Sequence, residues 1–75
     1  MTMVEKRSVS IRGHRTSISL EDRFWTCLRD MAGERALPVA ALIAEIDAAR
    51  GGVGNLSSAL RLAVLDWALK ASRHS

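Results

Sequence analysis

The sequence predicts a mostly α-helical domain with one short β-strand per chain. Two copies would form an intertwined homodimer around an antiparallel two-stranded ribbon, with a third, C-terminal helix added to each. Three observations predict it. The stretch "RTSISL" at 15–20 alternates polar and apolar residues with a period of two. Three later segments repeat apolar residues at helical spacing. The chain has only 75 residues and a single cysteine, Cys27, so its small core has no intrachain disulfide to reinforce it, and His14 and His74 are too scattered to suggest a metal site. Oligomerisation is the remedy left. A lone strand also leaves backbone donors and acceptors unpaired, and a second copy across a twofold axis supplies them.

Residues 1–7 carry no periodic pattern and are expected as a mobile basic arm, followed by one domain over 8–71 and a frayed tail over 72–75. In 15–20, Thr16, Ile18 and Leu20 share one face, with Arg15, Ser17 and Ser19 on the other. The upstream "SVSI" repeats the alternation and leaves two arrangements open. It either folds back through a Gly13-His14 turn, opposing Val9 to Ile18 and Ile11 to Thr16, or lies free.

Ser19 is the expected N-cap of the first helix, about 20–34, with Asp22 three positions on as its capping-box partner. Phe24, Cys27, Leu28 and Met31 form its apolar stripe, widened by Trp25 and Ala32. "GERALP" breaks it. Pro38 suits the first turn of a second helix, about 38–49, striped by Val39, Leu42, Ile43 and Ile46. Gly51 is suited to end that helix in a left-handed conformation, and Asn55 to cap a third, about 56–71. There Leu56, Leu60, Ala63, Val64 and Trp67 form one stripe with Leu62, Leu65 and Leu69 beside it, a surface broad enough to predict burial on more than one side.

The net charge is +3, and its distribution is informative. Lys6, Arg7, Arg12 and Arg15 crowd the N-terminal segment with only Glu5 against them, a pattern suited to a polyanion. Arg61, Asp66 and Lys70 interrupt the longest apolar stretch, and the first ten residues lack the apolar centre of a secretory signal, so no membrane partner and a cytoplasmic location are expected. No catalytic, metal or cofactor site is expected. Cys27 lies on an apolar stripe without a basic neighbour, Glu45 and Asp47 are two apart and point to different helix faces, and "GGVG" lacks the lysine of a phosphate-binding loop.

"RTSISLEDRFWTCLRDMA" followed by "LPVAALIAEIDAARGGVGNLSSALRLAVLDWAL" resembles the ribbon-helix-helix family of small dimeric DNA-binding proteins, the MetJ and Arc group. More narrowly, the chain is similar to a bacterial subfamily with a "SVxIxGHRTSxSLE…FW" opening, an "LIAEID" second helix and an "NLSSALR" third helix. The likeness spans about 6–69. It implies a repressor or autoregulator that binds double-stranded DNA, with paired strands in the major groove and Arg15, Ser17 and Ser19 on the bases. It further implies phosphate contacts from Lys6, Arg7 and Arg12 and from the backbone at Val39 and Ala40, where Pro38 replaces the serine or threonine of many relatives. Ile18, Leu20, Phe24, Leu28, Leu42, Ile43 and Ile46 would form the dimer core. The rival expectation is a homodimeric interaction module, antitoxin-like or an adaptor, that engages a second protein through the third helix or the N-terminal segment.

Overall fold

The computed structural model describes residues 4–52 and 54–73. Two strands, β1 (Val4–Ile11) and β2 (His14–Glu21), form an antiparallel sheet and are followed by helices α1 (Asp22–Glu34), α2 (Val39–Arg50) and α3 (Leu56–Arg73). The single strand per chain is therefore corrected to two. β1 closes on β2 within one chain because the turn between them has the hand that a twisted ribbon needs. Its two residues, Arg12 and Gly13, have φ of 51° and 83°, the doubly left-handed pattern of the tightest hairpins. Glycine adopts it without steric cost, whereas arginine does so rarely.

The turn is thus Arg12-Gly13 rather than Gly13-His14, and the register moves by two residues. Val9 faces Thr16, Ile11 faces His14, and Arg7 faces Ile18. A shift of two preserves which side each residue occupies, so the apolar faces of the strands still coincide. Pairing also begins at Val4, which makes residues 4–7 strand rather than arm; residues 1–3 lie outside the described residues, as do 74 and 75 of the expected tail.

Pairing with β1 carries β2 through Glu21, so Ser19 sits in the ladder opposite Lys6 and caps no helix. Glu21 occupies the N-cap position of α1 in an extended conformation, without a side-chain cap hydrogen bond. Asp22 in the first turn favours the positive helix end. The buried stripe of α1 is Trp25, Leu28 and Ala32, turned away from the expected one, with Phe24, Cys27 and Met31 only partly buried beside it. The helix stops where Ala36 takes a left-handed φ of 55° and the Leu37 N–H donates to the Ala32 carbonyl at 2.9 Å, a Schellman-type closure. Pro38 then stands as N-cap of α2, just outside the helix. Gly51 ends α2 with φ 60°, and Asn55 Oδ1 accepts the Ser58 N–H at 2.8 Å, as the sequence predicts.

The core lies between the sheet and the three helices. Ile18, Leu20, Leu28, Leu42 and Ile43, all expected in the dimer core, are at most 2% exposed within a single chain, while Phe24 and Ile46 pack at its margin. On α3 the buried residues are Leu60 and Val64, whereas Leu62, Leu65 and Leu69 are 61%, 50% and 49% exposed. The third helix is therefore covered on one side only.

Candidate nucleic-acid interface

Alternation along an antiparallel ladder sends every second side chain to the same side. With Ile18 and Leu20 inward, Arg15, Ser17 and Ser19 of β2 must project outward, and the register sets Ser10, Ser8 and Lys6 of β1 opposite them in that order. All six are exposed. None is acidic or apolar. Val4 and Glu21 end this face at the edge far from the turn.

The bases expected to act together are separated by the fold. Lys6 joins Arg15 on the outward face. Arg7 lies on the other face, its guanidinium 5.2 Å from the centroid of the Trp25 ring and 3.1 and 3.2 Å from the carboxylates of Glu5 and Asp22. Arg12, at the turn, donates to Asp47 Oδ2 at 2.8 Å. Arg15 has no hydrogen bond or ion pair among the described residues. This sets it apart from the other two arginines of the ribbon, because its donors remain available to a ligand without first releasing a carboxylate.

Val39 and Ala40 begin α2 directly behind Pro38, both half-buried. Asp47, near the other end of α2, holds the hairpin turn, so the start of the helix lies about 12 Å from Asp47 along its axis, at 1.5 Å per residue. The sequence alone gives Ser8 and Ser10 no place among the site residues. Their signal is the same period of two that marks Ser17 and Ser19, and it acquires meaning only once β1 is paired.

Besides the Arg7–Asp22 pair, two carboxylates tie the ribbon to the helices. Asp47 is held below the ordinary carboxylate range chiefly by the hydrogen bond from Arg50, against an opposing effect of burial, with Arg12 adding to the depression. Glu21 is likewise lowered, first by a backbone N–H and then by Arg61, whose Nε donates to Glu21 Oε1 at 3.1 Å. A carboxylate depressed in the folded state adds stability that is fully present above its unfolded pKa and is lost as pH falls through the folded one. Urea unfolding followed from neutral pH into acid should therefore show falling stability, and Asp47→Asn should flatten that fall. An unchanged acid profile in the variant would mean that the Asp47 cluster contributes nothing to folding.

Among the described residues no group of three or more histidine, cysteine, aspartate or glutamate side chains is arranged to hold a metal ion, and no helix is long and apolar enough to cross a membrane. Residues 4–68 match a family model described as a ribbon-helix-helix domain. Neither a curated protein nor a solved structure is a significant match to the chain.

Proposed function

The chain belongs to the ribbon-helix-helix family, whose domains are generally DNA-binding transcription regulators or antitoxins, and on that premise we propose that it is a dimeric, cytoplasmic repressor or autoregulator that reads double-stranded DNA through the outward face of its ribbon. The observation that carries this reading is the composition of that face: Lys6, Ser8, Ser10, Arg15, Ser17 and Ser19, cationic and hydroxylated throughout. A two-stranded ribbon fits the major groove, which is about 12 Å wide. Arg15 is the principal base reader, since a guanidinium meets guanine O6 and N7 with two donors. Ser17 and Ser19 donate or accept with several bases and add little discrimination. Lys6 and Arg12 supply phosphate contacts that position the ribbon, and the backbone at Val39 and Ala40 a weaker one, since Pro38 brings neither an N–H nor a hydroxyl. Arg7, stacked on Trp25, is better suited to tying β1 to α1.

Selection of bound duplexes from a random library, at about 0.15 M salt because phosphate-dominated affinity falls steeply with ionic strength, tests the reading. Enrichment of an inverted repeat with a conserved guanine in each half is expected; recovery of the input distribution would overturn it.

The dimeric part of the proposal is supported by α3. Leu62, Leu65 and Leu69 follow the three-then-four spacing of a helix-pairing seam, and with Val4 they are the exposed large hydrophobic residues among those described. A second copy of α3 presents the same stripe, so the seam is self-complementary. Leu65→Glu should convert a dimer to monomer in sedimentation experiments. Because Leu65 is half exposed within the chain, the monomer should keep its helical circular dichroism, and its apparent stability should fall only by what association contributed. A variant that sediments as a dimer would move the interface elsewhere, and a wild-type monomer would remove the dimer.

A further inference from the structure

α3 packs against its own chain on one side, where Leu60 and Val64 are buried. The opposite side carries Ser58, Leu62, Leu65, Leu69 and Ser72, all exposed. Their alternating steps of four and three residues are those of the core positions of a two-stranded coiled coil. Arg61 precedes Leu62 on one flank of this seam, and Asp66 follows Leu65 on the other. The Arg61 guanidinium is held from within the chain: its Nε donates to Glu21 Oε1 at 3.1 Å, Nη2 lies 3.5 Å from the Ser19 carbonyl oxygen, and the group stands 5.8 Å from the centroid of the Phe24 ring. Its side chain is nonetheless 34% exposed. Nη1 has no partner among the described residues, so its donors are already positioned beside the seam. Asp66 is exposed and makes no hydrogen bond or ion pair among the described residues.

We propose that a second copy of α3 covers this seam in parallel and in register, with Arg61 of each copy paired to Asp66 of the other. This rests on the reading above that α3 joins two copies, and adds the orientation. Layer composition is the first ground for it. In a parallel pair each core residue meets its own counterpart, so Leu62, Leu65 and Leu69 form leucine layers closed by serine at both ends. In an antiparallel pair the layers are mixed: either Leu62 faces Leu65 and Leu69 faces Ser58, or Leu65 faces Leu69 and Leu62 faces Ser72. Each of those registers leaves one leucine of every copy against a serine. Charge is the second ground. Parallel helices bring one flank against the opposite flank of the neighbour, five residues further along, and Asp66 stands five residues after Arg61. Antiparallel helices join like flanks, which puts Arg61 and Asp66 on opposite sides of the seam. A twofold axis makes both ion pairs at once.

A cysteine placed at Ser58 reads the orientation. In the parallel pair the two copies of that residue face each other. In the antiparallel registers they lie at least eleven residues apart along the axis, about 16 Å at 1.5 Å per residue, beyond the roughly 7 Å between Cα atoms that a disulfide can bridge. In a Cys27→Ser background, which leaves one cysteine per chain, Ser58→Cys treated with oxidised glutathione should give a covalent dimer as the main product. Mixed with Leu69→Cys chains, it should still form its own disulfide rather than a mixed one. Asp66→Arg should raise the dimer dissociation constant by about tenfold, because the axis turns both ion pairs into repulsions. Circular dichroism and thermal melting confirm that each variant is folded. A mixed disulfide as the main product, or a protein that sediments as a dimer and forms no Ser58→Cys disulfide, would overturn the parallel seam and leave the dimer standing. An unchanged constant in Asp66→Arg would overturn the pairing of Arg61 with Asp66. A wild-type chain that sediments as a monomer would overturn dimer and seam together.

Discussion

Trp25→Ala is expected to destabilise the protein by about 3–5 kcal/mol, the range for removing a buried aromatic side chain. The ring is 3% exposed, packs with Leu28 and Ala32 of its own helix against the sheet, and carries the Arg7 guanidinium on its face. A chain of this length has a total stability of only about 4–11 kcal/mol at the usual value per residue. The substitution should therefore remove a large share of the total and lower the midpoint of unfolding, and DNA binding should fall in proportion to the fraction unfolded. Trp25→Phe should cost much less, below about 2 kcal/mol, because the indole N–H is buried without a hydrogen-bond partner and its removal offsets part of the lost packing. Urea unfolding followed by circular dichroism measures both. Trp67 offers a contrast, being half-buried with its indole donating to Glu34 at 3.0 Å. A loss below about 1 kcal/mol in Trp25→Ala would contradict the packed position of the ring.

Arg15→Ala is expected to weaken binding to selected duplexes by about 1–3 kcal/mol and to relax the preference at one position per half-site. Its side chain is exposed and unpaired among the described residues, so the substitution breaks no interaction within the fold. Unfolding free energy should stay within about 0.5 kcal/mol of wild type. Arg15→Lys should recover part of the affinity and little of the preference, because an ammonium lacks the planar fork that matches guanine. Fluorescence anisotropy against selected and scrambled duplexes at fixed salt separates the outcomes. An equal loss on both would make Arg15 a phosphate contact.

Much of the architecture is visible in local patterns. The helix boundaries at Gly51 and Asn55 follow from single residues whose conformational or hydrogen-bonding preference is strong, and the outward set Arg15, Ser17 and Ser19 follows from alternation alone. The turn does not. Gly13 can serve as either its first or its second residue, and the choice falls on Arg12-Gly13, with Arg12 in a left-handed conformation and its guanidinium held by Asp47 on α2. Nothing within residues 8–20 announces a carboxylate 35 positions away. Ser19 is a similar case: it has every local attribute of an N-cap, yet the ladder to Lys6 keeps it in the strand.

By itself the sequence determined the order from β2 through the three helices, the alternation of β2 and the resemblance to the family, because period, capping residues and glycine placement act over a few neighbouring positions. The tertiary structure alone decided which faces were buried. On α1 the core took Trp25, Leu28 and Ala32 where several rotations of the helix were compatible with the pattern, and on α3 it left Leu62, Leu65 and Leu69 at the surface. It also decided that β1 would complete the ribbon in the same chain and align Lys6, Ser8 and Ser10 with Arg15, Ser17 and Ser19. The physical reason is that burial and strand register depend on contacts between residues distant in the chain, and those contacts have no counterpart in local periodicity.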